Sequence, residues 1–268
     1  MSKLINQNPS ALQSIFAGIR QFSLAAMLGW QDIKQRYRRS KVGPFWITIS
    51  MGVMIASIGI VFGQIFNSPM KEYLPHLAAG IIFWAFISGV INDGCLGFIA
   101  AEGVIKQLPI PLFVHIVRIV WRNVLILLHN LIIFPVVMLV LGVPITLHIF
   151  LILPGIALVL VNLTWIALLL GVVCARFRDM PNIIASILQV AFYLTPIIWM
   201  PNLLPERAGT MLLDINPFYH LLEIIRLPFL GQLPNGISWF FALGMAVVGW
   251  AITLKVFGSY QHRIAYWV

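Results

Sequence analysis

The chain has 268 residues, of which 60% are hydrophobic and only 9% carry a charge, with a mean hydropathy of +0.96. Soluble domains carry about 25% charged residues, so this composition excludes a water-solvated globule and points to a chain whose solvent is lipid. The net charge of +9 does not indicate nucleic acid, because the excess cation sits beside an apolar stretch rather than in a base-reading module.

Seven basic residues, Lys3, Arg20, Lys34, Arg36, Arg38, Arg39 and Lys41, come before Pro44. This first segment does not read as a signal peptide, since its charges follow the weakly apolar part and no short apolar region leads to a small-residue cleavage site. Leu12, Ile15, Phe16, Ile19 and Phe22 recur at three- and four-residue spacing after Pro9 and Ser10. That is the pattern of an amphipathic helix, lying either in the membrane interface or on a partner domain.

An uncharged stretch then runs from Pro44 to Phe66. At about 1.5 Å per residue it covers roughly 34 Å, enough for the ~30 Å hydrocarbon layer with some tilt. Further spans run roughly from Leu77 to Ile91, Val114 to Val140, Phe150 to Val173, Ile183 to Trp199 and Ile237 to Phe257. Between the last two, Pro201, Pro205, Pro217, Pro228 and Pro234 interrupt a long apolar segment, Met200 to Gly236. It reads as short helices that enter the membrane and return, which is tolerated only against protein or a water-filled cavity.

The expected fold class is therefore an all-α integral membrane protein with six transmembrane helices, an N-terminal amphipathic interface helix and short re-entrant helices before the last span. It forms one transmembrane domain: residues 1–43 are the cytoplasmic interface helix and gate region, 44–257 the spans and 258–268 a cytoplasmic tail. Lys/Arg-rich flanks stay cytoplasmic, which puts both termini inside. Of the 17 Lys and Arg residues, only Lys71, Arg207 and Arg226 then fall outside. Cys95 and Cys174 lie at cytoplasmic span ends, where free thiols are expected. The six histidines lack the spacing of a metal site.

The sequence carries no GxxxxGK[ST] phosphate loop, GxSxG elbow, HExxH or GxGxxG opening a helix. ATP hydrolysis and other enzyme chemistry are therefore not expected of this chain. No Asp, Glu or Lys lies at mid-membrane depth, which disfavours coupling to an ion gradient.

The spans instead hold uncharged polar residues on single faces. Ser50, Ser57 and Gln64 recur every seventh residue in the first span; Trp84, Ser88 and Asn92 step by four in the second; Asn182, Ser186, Gln189 and Tyr193 step by four, three and four in the fifth. Such stripes line a pore or pack helices together, and both readings stay open. Gly59 and Gly63 form a GxxxG that brings helix backbones close. Tyr37, Phe45 and Trp46 at the first entry, and Phe83, Trp84 and Tyr193 further on, sit where aromatic rings anchor at headgroup depth or stack on passing sugars. Glu102 to Phe113, EGVIKQLPIPLF, offers a short exposed helix between glycine and proline breaks, either a connection or a docking element for a soluble partner.

Three motifs carry a resemblance to a known family: RYRRSKVGPFW from Arg36, CARFRDMPNI from Cys174 and NPFYHLLEIIRLPFLG from Asn216. Together they resemble the membrane subunit of ABC transporters that export O-antigen and other polysaccharides. The resemblance implies a homodimeric channel in the bacterial inner membrane, driven by two copies of a cytoplasmic ATPase subunit that binds the ATP and Mg. It makes the N-terminal helix the interface helix and the Tyr37 region the gate. It also puts the ATPase contact at Glu102, Lys106, Pro109 and Pro111.

The implied cargo is an undecaprenyl-linked glycan. Arg36, Arg38, Arg39 and Lys41 either attract its pyrophosphate or only satisfy the positive-inside rule. Channel and gate residues are expected at Tyr37, Phe45, Trp46, Ser57, Gln64, Phe83, Trp84, Ser88, Gln189 and Tyr193. A lipid or drug exporter of the same architecture, or an ion-coupled carrier, is the alternative.

Overall fold

A computed structural model describes residues 10–38, 43, 45–142, 146–203, 205 and 211–268, the side chains of residues 36 and 37 excepted. Ser10 starts the first helix: its hydroxyl accepts the Gln13 amide N–H at 3.2 Å, and Gln13 Oε1 accepts the Ser10 N–H at 2.9 Å. This capping box opens α1 (Ala11–Arg20). Leu12, Phe16 and Ile19 lean outward while Ile15 turns in, as suits a helix lying in a membrane interface.

After a 67° bend, α2 (Phe22–Tyr37) runs beside the helix that begins at Phe113. The approach is close, because a Cβ at Gly29 would meet the Arg118 carbonyl oxygen at 3.0 Å. Phe22 stacks edge-on against Trp121 at 5.3 Å.

The remaining helices are α3 (Phe45–Ile65), α4 (Met70–Leu96), α5 (Glu102–Gln107), α6 (Phe113–Asn130), α7 (Ile133–Leu141), α8 (Ile152–Arg176), α9 (Met180–Leu194), α10 (Pro217–Phe229), α11 (Gly236–Tyr260) and α12 (Ile264–Trp267). Among the described residues, five segments are long and apolar enough to cross a bilayer: 45–65, 70–96, 113–141, 147–176 and 236–267. They match five of the six expected spans; the first is one residue shorter at each end and the other four are longer.

α4 is apolar on every side and buried on every side: Tyr73, Leu77, Ile81, Ile87 and Val90 are all within 3% of full burial. A helix of that kind belongs at the centre of a bundle. α3, α6, α8, α9 and α10 pack around it. Glycines set the closest approaches. A Cβ on Gly94 would fall 2.7 Å from Ala167 Cα on α8, and one on Gly59 would fall 2.6 Å from the Leu74 side chain on α4. The GxxxG of α3 therefore faces α4. Asn162 joins α8 to α11 by donating to the Ala242 carbonyl at 3.0 Å, and its own Oδ1 accepts from Trp165 Nε1 at 3.1 Å.

Two expected spans are not continuous helices. Leu131 and Ile132 separate α6 from α7, one turn before Pro135, which has no N–H for the Leu131 carbonyl and crowds it. That carbonyl accepts from Phe134 instead, at 3.1 Å. The fifth span is the larger difference: α9 stops at Leu194, and residues 195–199 are not helical. Pro196 is the cause, since it pushes the preceding Thr195 into extended backbone, φ −88° and ψ 136°.

The carbonyls freed by that break are met by side chains. Tyr73 donates its hydroxyl to the Ile198 carbonyl at 2.7 Å, and Arg226 donates to that of Pro196. His76 Nε2 lies 3.2 Å from both the Trp199 carbonyl and Arg226 Nη1, so its tautomer decides which of the two it serves. Arg226 is 1% exposed and paired with Glu223 one turn earlier on α10. Both residues, in the segment expected to form re-entrant helices on the outer side, are core residues of this bundle. α10 starts at Pro217 with Asn216 as its cap, Oδ1 accepting from Phe218 N–H at 2.9 Å while Nδ2 donates to Thr195 Oγ1 at 2.9 Å.

At the opposite end, Asp32 on α2 accepts from Arg118 Nε at 2.7 Å and from Arg122 at 3.3 Å. Arg122 also reaches Asp93 of α4 at 2.7 Å, and Asn123 donates to the same carboxylate at 2.7 Å. One cluster thus ties α2, α4 and α6 together.

Replacing Arg226 with Leu leaves Glu223 buried without its partner, and should destabilise the bundle by about 3–5 kcal/mol, read as unfolding in detergent. Replacing Glu223 with Leu as well should recover part of the loss. Asp32→Asn should accelerate amide exchange across α2 while leaving α8 and α11 unchanged, because that carboxylate joins α2 to α6 and touches neither of the other two.

Candidate functional site

The expected site residues separate into three groups. Those on α3 and α9 lie on the outer surface. Ser57, Gln64, Gln189 and Tyr193 are exposed, as are Asn182 and Ser186 beside them, whereas Ile55 and Leu188 on the opposite faces are 2% and 5% exposed. Phe45 and Trp46 are also exposed at the start of α3. Thr48 holds this end in place by donating to the His129 carbonyl at 3.0 Å. Ser50 and Ser186 spend their hydroxyls on their own helices, donating to the Trp46 carbonyl at 2.8 Å and the Asn182 carbonyl at 3.0 Å. The amides of Gln64 and Gln189 extend from the bundle.

The α4 residues behave differently. Phe83 is 1% and Trp84 8% exposed. Phe83 packs on Phe229 at 5.2 Å, and Trp84 lies between Phe192 at 5.9 Å and Phe218 at 5.4 Å. Ser88 turns back to donate to the Trp84 carbonyl at 2.7 Å. The central place of α4 packs this stripe inside the subunit, against α9 and α10. Inner aromatic rings hold α9 and α10 to α4, and the outer polar faces remain available.

The third group lies at the end that carries Asp32 and Asp93. α5 is exposed, and Lys106 Nζ pairs with Glu102 at 2.6 Å across one turn. The hydrogen bond and charge of Lys106 hold the Glu102 carboxyl below the usual carboxylate range, so it stays ionised at neutral pH. Pro109 is exposed and Pro111 half-buried in the turn that follows, where the missing N–H groups end the helix. The chain's last helix packs beside α5. Arg178 donates to the Trp267 carbonyl at 3.0 Å, and the Arg176 guanidinium lies 5.3 Å over the Trp267 ring. α5, the 176–178 turn and α12 thus form one exposed platform.

Of the basic run, Arg38 is exposed at the end of α2. Arg39 and Lys41, and the side chains of Arg36 and Tyr37, lie outside the described residues. Among the described residues no group of His, Cys, Asp and Glu is placed to hold a metal. Cys95 and Cys174 are free and buried. His129 is a packing residue that donates through Nδ1 to the Leu125 carbonyl at 2.7 Å.

Sequence reasoning missed two charged clusters: Asp32 with Arg118, Arg122 and Asp93, and Arg226 with Glu223. A signal was present for the first. Asp32 is the one acid before Glu72, and Arg118 and Arg122 stand four apart on one helix face; in an apolar chain, charges so scarce find one another.

The family model described as ABC-2 type transporter matches residues 24–230. Two proteins named O-antigen export system permease protein RfbA from Klebsiella pneumoniae are 23% identical over 249 residues and 26% identical over 254, each match covering 91% of this chain and 94% of the relative. A protein of the same name from Myxococcus xanthus is 23% identical over 202 residues, covering 72% of this chain and 74% of its own length. With a family match across most of its length and a bundle of membrane-crossing helices, the chain belongs to the ABC-2 type transporters as a multi-pass permease, a transport subunit that works with an ATPase partner.

Proposed function

We propose that the chain is the channel-forming subunit of an ATP-driven exporter, moving lipid-linked polysaccharide of the O-antigen class outward across the bacterial inner membrane. It acts as a homodimer with two copies of a cytoplasmic ATPase subunit that bind ATP and Mg, and both of its termini lie in the cytoplasm. The observation that carries this reading is the pair of exposed polar faces on α3 and α9. A mid-helix side chain such as Gln189 needs water or another polar surface, and two copies facing each other enclose a path that supplies it. The names of the relatives support the glycan as cargo.

In this reading Ser57, Gln64, Gln189 and Tyr193 line the path, with Phe45 and Trp46 at its entry. Rings such as Tyr193 offer a passing sugar flat, weak contacts of about 0.5–1.5 kcal/mol each. Phe83, Trp84 and Ser88 support the path from behind. The ATPase docks on α5 and its platform. Arg36, Arg38, Arg39 and Lys41, beside the Tyr37 gate, draw the lipid pyrophosphate to the entry. ATP binding and hydrolysis in the partner then displace α5, shift the helices against one another and open the path.

Export of labelled lipid-linked glycan into vesicles by the purified permease–ATPase complex tests the reading, and ATP-dependent transport of an unrelated lipid in its place would overturn it. Single Cys replacements at Ser57, Gln64 and Gln189 should react with small hydrophilic thiol reagents during turnover, whereas those at Ile55 and Leu188 should not. Equal labelling of the two sets would move the path elsewhere. Replacing Glu102 and Lys106 together by Ala should lower co-purification of the ATPase by about fivefold or more with membrane insertion unchanged; undiminished association would remove α5 from the contact.

A further inference from the structure

At the end of the bundle assigned above to the cytoplasm, a cavity of about 220 Å³ opens between α4 and α6, bordered by Asp93, Ala100, His115, Arg118 and Arg122. It holds an imbalance. Arg122 Nε and both ring nitrogens of His115 are buried without a hydrogen-bond partner among the described residues, and His115 is 1% exposed. The guanidinium Nε always carries a proton and the imidazole carries at least one. Two or more buried donors therefore border this cavity with nothing to receive them. A neutral His115 also leaves one ring nitrogen without a donor, but among the described residues no buried side-chain oxygen around the cavity lacks one, so two of the three unpartnered nitrogens call for an acceptor.

We propose that this cavity is an oxyanion site for the phosphate end of a membrane lipid, an inference that rests on the reading of a pyrophosphate-linked cargo and gives that group a place in the chain. Arg118 and Arg122 are one turn apart on α6 and present guanidinium groups, whose fixed fork matches phosphate oxygens. The depth fits a headgroup: Asp93 lies three residues before the end of α4 and Arg118 five residues into α6, about 5–8 Å inside the helix ends. The cavity holds a diphosphate but not a sugar chain, which leaves the glycan outside it.

Occupancy has a mechanical consequence. Asp32 and Asp93 now hold these guanidiniums, Asp32 from α2 and Asp93 from α4. A phosphate entering beside them competes for the same donors and weakens the hold on α2. Arrival of the lipid at this site therefore loosens the interface helix.

The test uses full-length permease in phosphatidylcholine nanodiscs with undecaprenyl pyrophosphate titrated in, retention read by native mass spectrometry and α2 by amide exchange. Ala100→Phe fills the cavity from its exposed rim without removing a charge, and His115→Phe removes the unpartnered ring nitrogens. Each should weaken retention by about tenfold or more with the unfolding temperature held, and binding to the wild type should speed exchange across α2. Loss of retention in both variants, unmoved by inorganic pyrophosphate, supports a lipid-borne phosphate; displacement by inorganic pyrophosphate alone supports the oxyanion site with a soluble source.

Equal retention by the wild type and both variants, or no change in α2, overturns the proposal. Glycan export by the wild-type complex is scored separately. Export with variant-independent retention fails this inference alone, and retention in the cavity without glycan export fails the cargo reading alone.

Discussion

Backbone that leaves helical geometry inside an apolar span must find hydrogen-bond donors within its own protein, and residues 195–199 impose that demand here. Pro196 breaks α9, and the carbonyls of Pro196 and Ile198 then meet Arg226 and Tyr73, with His76 Nε2 3.2 Å from that of Trp199. Supplying a guanidinium in the core obliges a counter-charge, and Glu223 sits one turn away on the same helix. Cap, break and ion pair are therefore one arrangement: Asn216 starts α10 and also bonds Thr195 at the break. Moving α9 relative to α4 without moving α10 would strand either a carbonyl or a charge.

The other end of α4 is held by a different logic. Asp93, near its end, shares Arg122 with Asp32 of α2, and these side chains are only partly buried, 14–28% exposed. Pairs of that kind exchange partners at lower cost than the enclosed Arg226–Glu223 pair. α4 thus joins a rigid end and an adjustable one. Its glycine seam against α8 at Gly94 leaves little room for sliding between them. A displacement at α2 is absorbed first by the Asp32 pairs, and only a larger one reaches the break at 195–199.

Much of the bundle was legible in residue types. The helix start after Ser10, the apolar runs of α3, α4, α8 and α11, and the proline breaks before α10 all follow from local rules. The end of α9 was not, because hydropathy continues unbroken through Trp199 while helicity stops at Leu194; apolar character measures solvent, not geometry. Arg226 was misplaced for a related reason. Counting basic residues treats each as facing water, and a residue whose charge is met by Glu223 three positions earlier escapes that count. The α4 stripe of Trp84 and Ser88 looked like those of α3 and α9, since periodicity says which residues share a face and not what the face meets.

Depth bears on that last ambiguity as well as exposure. Gln64 stands at the end of α3, where headgroups and water satisfy an amide, so its exposure demands little. Gln189 is different, standing midway along α9 with its side chain outside the subunit. An amide left without partners in an apolar medium costs about 2–7 kcal/mol, comparable with a whole ion pair in the core. A single copy in lipid would carry that cost at Gln189, whereas Ser186 on the same face donates to its own helix and Asn182 stands in the first turn of α9. The α9 face is therefore incomplete in isolation: the Gln189 amide requires either a second polar protein surface or water beside it.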